Sequence, residues 1–181
     1  MPTPTLQIAP GTYSLDAIHS TVGFSLQHLV VSKFRGSFGG FDASLTVAED
    51  GAISLTGSVD VPSVEVKDPN LVGHLQAPDF FDTQQFPKAT FTSTGVREDG
   101  GDVVVDGELT IKGNTHAVEG RGSITFIEAD LQGSPRVGVD LSTVIDRQAY
   151  GLAFNAQLPN GGAALENDVT IHVELEFVPA S

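Results

Sequence analysis

A chain of 181 residues that is 40% hydrophobic and 18% charged carries enough apolar material for one domain with a sizeable core, too much for a disordered segment. Its formal charge of −14, with only nine Lys and Arg, excludes a nucleic-acid binder built on a basic stripe and disfavours docking on anionic lipid. It has no cysteine, which rules out a disulfide scaffold, a thiolate metal site and a cysteine nucleophile.

The opening MPTPTLQIAPGTY shows neither the basic nor the apolar region of a secretory signal. No apolar run reaches the roughly 18 residues of a membrane span, so a cytoplasmic location without an integral membrane segment is expected. Alternation then predicts a first strand over about 12–28. Val22, Phe24, Leu26 and His28 share one face, and His19, Thr21, Gly23, Ser25 and Gln27 share the other. A second strand is expected over 34–48, where the apolar phase slips from Phe34, Gly36 and Phe38 to Phe41, Ala43, Leu45 and Val47. The slip at Gly39–Gly40 reads as a bulge. AISLTGSVDV gives the third strand, with Ile53, Leu55, Gly57, Val59 and Val61 inward. Residues 69–82 follow Asp68, with Pro69 as first helical residue, and predict a short helix ending before Pro78.

Further strands are expected over 88–97, over DVVVDGELTI (Val103, Val105, Gly107, Leu109 and Ile111 inward), and over 115–128 and 135–145. AEDGA, REDGGD and IKGNT supply turns. Residues 146–167 form a long Gly/Pro-rich connection of the kind that is functional or mobile. DVTIHVELEFV closes the chain with Val169, Ile171, Val173, Leu175 and Phe177 on one face.

About eight amphipathic strands and one short helix leave no helical layer to cover a sheet, so the apolar faces must cover one another. The expectation is an all-β fold: a single domain over 1–181 (core about 12–178), forming a closed eight-stranded antiparallel barrel. Glycines 36, 57, 107, 120 and 122 fall on the apolar phase. They either thin the lining around a cavity or relieve strand twist.

No catalytic residue emerges. Ser20 and His19 point to opposite faces of a regular strand, G-x-S-x-G is absent, and Asp79 and Asp82 suit capping or solvent better than acid–base work. His172, Glu174 and Glu176 share an outer face, and a surface strand explains them better than a metal. His28 is either a packed core residue or the polar mouth of a pocket, with the rare cations Lys33 and Arg35 close by.

Several blocks in order, YSLDAIHSTVGFSLQHL, FRGSFGGFDASL, HLQAPDFFDTQQFPKATFTST, GELTIKGNTHAV and IDRQAYGLAFN, resemble the YceI-like family over about Tyr13 to Phe177. The resemblance implies an extended lipocalin-like barrel with a short helical insertion near HLQAPDFFD. It also implies an apolar tunnel that binds, transports or stores a long-chain isoprenoid, polyprenyl phosphate or quinone, without catalysis or cofactor, in a chain that can form a homodimer. Phe24, His28, Phe38, His74, Leu75, Phe80, Phe91, Arg147 and Phe154 occupy matching positions. Together with the inward Val22, Leu26 and Leu109 and the mouth cation Arg35 they make the expected ligand-binding set. The alternatives are an enzyme acting on an isoprenoid and a structural or stress-protective protein with a solid core.

Overall fold

The computed structural model describes residues 6–181. The reading of the N-terminus as free of a secretory signal rests in part on residues 1–5, which lie outside the described residues. Eleven strands are formed: β1 (Gly11–Leu15), β2 (Thr21–His28), β3 (Ser32–Phe38), β4 (Phe41–Val47), β5 (Ile53–Asp60), β6 (Val64–Val66), β7 (Lys88–Asp99), β8 (Asp102–Ile111), β9 (Asn114–Ile127), β10 (Arg136–Asp146) and β11 (Asp168–Pro179). One helix, α1 (Leu71–Gln76), follows β6. The order β1-β4-β5-β7-β8-β9-β10-β11 closes on itself, because Tyr13 and Leu15 of β1 stand opposite Pro179 and Phe177 of β11. This is the eight-stranded antiparallel barrel that alternation predicts. β2 pairs with the N-terminal half of β11, β3 with β2, and β6 with β3, so three strands extend the barrel wall beyond its closed ring.

The two longest expected strands are each built from two pieces. The break at Gly39–Gly40 falls where the phase slips, and there the chain exchanges β6 for β5 as its partner. The break between β1 and β2 corrects the continuous strand expected over 12–28. A 3-10 turn at Ala17–His19 lifts His19 out of the sheet and leaves it exposed. The turn shifts the inward phase from Tyr13 and Leu15 to Val22, Phe24 and Leu26. Ser20 pins it, donating through Oγ to Asp16 O at 2.7 Å and accepting at the same Oγ from Glu176 N at 2.9 Å.

The helix is shorter than expected. Asp68 Oδ1 accepts from Asn70 N at 3.0 Å and Asp68 O accepts from Leu71 N, so Asp68–Pro69 form a lead-in turn and α1 starts at Leu71. It ends before Pro78, where an extended Ala77 accommodates the proline that follows.

Two apolar layers fill the barrel. At one end Tyr13, Leu45, Val47, Leu55, Val105, Val137 and Phe177 pack into a solid plug. Toward the other end Leu26, Ile111, Ile145, Tyr150, Leu152 and Val169 form a collar. Val104 is fully buried although it lies on the outer phase of β8. Its register neighbours are Arg97 and Arg121, whose guanidinium groups reach Asp106, Glu119 and Asp99. An ion ladder whose aliphatic stems cover a valine is the physical reason.

A second ion cluster ties the β1–β2 corner to β10 and β11. Arg136 Nη1 donates to Asp16 at 3.0 Å and Glu176 at 2.9 Å, and its Nε donates to Asp130 at 2.8 Å. Asp130 also accepts from the backbone N–H groups of Gln132 and Ser134. The Arg136 bond, then those two, hold the Asp130 carboxyl at about 2, below its usual 3.8. A depressed carboxylate stabilises the fold above pH 3.8, and that contribution is lost as pH falls toward 2. Thermal midpoints measured from pH 5 to pH 2 should therefore fall more steeply for the wild type than for Asp130→Asn. Parallel curves would show that this carboxylate does not couple to folding.

Candidate functional site

Between plug and collar lies a cavity of about 480 Å³, within the range of sites that enclose a small ligand. Its floor is the inner surface of the plug: Leu55, Val105, Leu141 and Leu175 belong to both. Its walls carry Val22, Phe24 and Leu26 from β2, Phe34 and Phe38 from β3, Phe91 from β7 and Leu109 from β8. The rim is formed by His28, by Leu71, His74 and Leu75 of α1, by Phe80 and Phe81, and by the 152–165 connection through Leu152, Phe154 and Leu165.

Twelve of the thirteen residues expected at the site line this one cavity: Val22, Phe24, Leu26, His28, Phe38, His74, Leu75, Phe80, Phe91, Leu109, Arg147 and Phe154. Arg35 does not. It borders a shallow outer depression with Glu65 and Lys67, because odd positions of β3 face outward while Phe34, Gly36 and Phe38 face in. The phase of β3 could have placed it there. Phe81 and Leu165 also line the cavity, but they stand in irregular segments where no periodicity marks a face.

The aromatic lining is continuous. Phe34, Gly36 and Phe38 are successive inward positions of β3, and the Phe24 ring lies between the two phenylalanines, 6.3 Å from Phe34 and 5.6 Å from Phe38. A Cβ built on Gly36 would come within 2.4 Å of Phe24 Cζ. Gly36 is thus a socket for a ring. Gly107 is the same for Phe91, whose Cζ would also meet a Cβ at 2.4 Å, with the Thr92 carbonyl oxygen a further obstacle at 2.7 Å. Across the rim His74 packs edge-on to Phe80 and Phe154, at 4.9 and 4.6 Å.

Arg147 is the buried polar group of the lining, 2% exposed. Its Nε donates to Glu166 O at 2.9 Å, and its Nη1 donates to Leu152 O and to Phe154 O at 2.8 Å. Nη2 is buried without a hydrogen-bond partner among the described residues. Burial draws the Arg147 pKa down, and neighbouring Asp146 acts weakly in the other sense. The guanidinium therefore organises the long connection with two of its nitrogens. His28 is half-buried, its backbone bridging Leu165. His74 Nε2 lies 3.2 Å from Asp79 Oδ2.

Among the described residues two trios of potential metal ligands stand outside the cavity. In the first, Asp16, His19 and Glu176, the carboxylates already hold Arg136. The second pairs His172 with Asp140 and Glu174 on the exposed outer face of β10 and β11, and Glu176 is not part of it.

The model of the YceI-like domain matches residues 13–177. The chain belongs to the YceI-like domain family. A UPF0312 protein of Staphylococcus aureus strain USA300 is 33% identical over 171 residues, covering 91% of this chain and 96% of the relative. Among solved structures, BcnA of Burkholderia cenocepacia superposes with a TM-score of 0.73 at 23% identity, covering 90% of this chain and 98% of its own. A polyisoprenoid binding domain from Saccharophagus degradans, described as implicated in plant cell wall breakdown, gives 0.65 at 19% identity over 93% and 98%. These superpositions show a likeness of fold over the whole barrel. Across the described residues no helix is long and apolar enough to cross a membrane.

Proposed function

We propose that this chain is a non-catalytic carrier or store for a long-chain isoprenoid, its tail enclosed in the barrel cavity and its polar head at Arg147. The observation that carries the reading is the combination of a phenyl- and aliphatic-lined cavity with Arg147 Nη2 in its lining, one of two buried polar atoms, with Tyr150 Oη, that find no partner among the described residues. The polyisoprenoid binding domain of Saccharophagus degradans, alike in fold, supports the ligand class.

Each isoprene unit buries five carbons, a gross gain of roughly 3–4 kcal/mol at about 0.8 kcal/mol per methylene-sized group. Immobilisation and association costs reduce this strongly, yet a few units still reach micromolar affinity. At about 30 Å³ per water-sized group, the 480 Å³ cavity accommodates roughly three units. A single free guanidinium nitrogen suits one acceptor oxygen. In a chain of charge −14, a quinone carbonyl meets less repulsion there than a pyrophosphate.

Organic extraction of purified protein followed by mass spectrometry is expected to release an isoprenoid. Titration of stripped protein should give affinities that rise with each unit to about three or four and then level. Repeated preparations without such a molecule, together with no saturable uptake of geranylgeraniol, would end this reading. Conversion of bound isoprenoid to a new product would favour the enzyme.

A further inference from the structure

The hairpin between β2 and β3 places two adjacent non-glycine residues at positive φ, which no other turn among the described residues does. Val31 N donates to His28 O at 3.2 Å, and the two residues between them, Leu29 and Val30, have φ of 52° and 65°. A two-residue turn with both φ values positive favours Asn-Gly, and a β-branched valine there is strained. The β7–β8 turn uses Gly100 and Gly101 at positive φ, the β8–β9 turn pairs Lys112 at φ 50° with Gly113, and the turns near residues 51 and 133 also use glycine, whereas the β2–β3 pair contains none. The strained pair is not hidden in a core. Leu29 is 38% exposed, Val30 67% and Val31 83%. Strain retained under three exposed aliphatic side chains points to a use for the tip.

The tip is joined to the cavity rim. Leu29 N donates to Ala164 O at 2.8 Å, Glu166 N donates to Gln27 O at 3.2 Å, and His28, Ala164 and Leu165 line the cavity. Lys33 and Arg35, two of the nine basic residues in this acidic chain, follow on β3 and are exposed. At about 3.3 Å per residue, Lys33 stands roughly 7 Å behind Val31. An interfacial apolar element sinks about 5–10 Å, which sets such a cation at the depth of lipid phosphates.

We infer that the Leu29–Val31 tip inserts into the surface of a zwitterionic lipid bilayer and sets the cavity rim against it. This rests on the isoprenoid reading, since such a cargo resides in bilayers and would pass between membrane and barrel without crossing bulk water.

The test is sedimentation with phosphatidylcholine vesicles, comparing the wild type with Leu29→Asn/Val30→Gly and with Val31→Asp. The wild type is expected to pellet with vesicles, and both variants to partition at least tenfold less. The Asn-Gly variant should melt at the same temperature or higher, since its turn is relaxed, and should bind geranylgeraniol in solution as the wild type does. Wild-type protein that stays in the supernatant, or variants that pellet equally, would overturn the docking. A lower melting temperature for the Asn-Gly variant would overturn the strained-turn argument. Geranylgeraniol binding by the wild type without vesicles tests the cavity separately, so the two ideas fail by different results.

Discussion

Arg147→Met is expected to destabilise the protein by about 2–4 kcal/mol and to loosen the 152–166 connection. The guanidinium satisfies the carbonyls of Leu152, Phe154 and Glu166 at once. Each buried acceptor left without a donor costs about 1–3 kcal/mol. Two effects reduce the sum. Glu166 is exposed and Phe154 half-exposed, so water can reach their carbonyls, while Leu152 is buried. The wild type also bears the cost of a buried cation with no carboxylate bonded to it, a cost that methionine removes. The acceptor loss dominates because methionine fills the volume but donates nothing. At about 2–4 °C per kcal/mol for a domain of this size, the melting temperature should drop by roughly 5–15 °C. Faster amide exchange should be confined first to 152–166. A melting temperature within a degree of the wild type would show that the connection holds itself.

The strands were legible because one face of each is buried, which forces alternation. In β11 every inward position from Val169 to Phe177 could be named from the sequence, and the Gly39–Gly40 slip marked the right place, although the bulge expected there is a break between two strands. The break at 16–20 left no such mark, since Ser20 and Asp16 are ordinary polar residues until folding brings Glu176 beside them. The outer burial of Val104 was equally silent, because it depends on arginines of two other strands. Most of the cavity lining was readable, since inward phase and the family motifs coincide there. Its key polar atom was not. That Arg147 leaves Nη2 free follows from which carbonyls the long connection offers, and no spacing encodes that.

The inward glycines had two readings, a thinned wall or relief of twist, and folding distributes them differently. Gly57 and Gly120 border the cavity. Gly122 faces a neighbouring backbone instead, where a Cβ would come far inside contact distance of Asp140 O. Gly36 and Gly107 are filled by rings that start on adjacent strands, so their role is to receive side chains and keep them out of the cavity centre.

That role makes Gly36→Ala the most informative change at the cavity. The three atoms nearest the new methyl all belong to the Phe24 ring, with Cζ and Cε1 (2.7 Å) far inside contact distance, so it is the ring that must yield first. Phe34 and Phe38 flank the ring on β3, leaving the cavity interior as its way out. The fold should tolerate this. An off-rotamer ring costs about 0.5–1.5 kcal/mol, while replacing glycine in an allowed strand conformation returns about 0.4–1 kcal/mol through the unfolded chain. The cavity should not tolerate it. A ring swung inward excludes about one isoprene unit, whose burial is worth roughly 3–4 kcal/mol gross, so geranylgeraniol affinity should fall about 10- to 100-fold with little change in melting temperature. Adding Phe24→Leu to Gly36→Ala removes the obstructing ring and should restore most of the loss. Undiminished binding by the single variant, or a double variant as weak as the single, would show that Phe24 does not set the cavity's width.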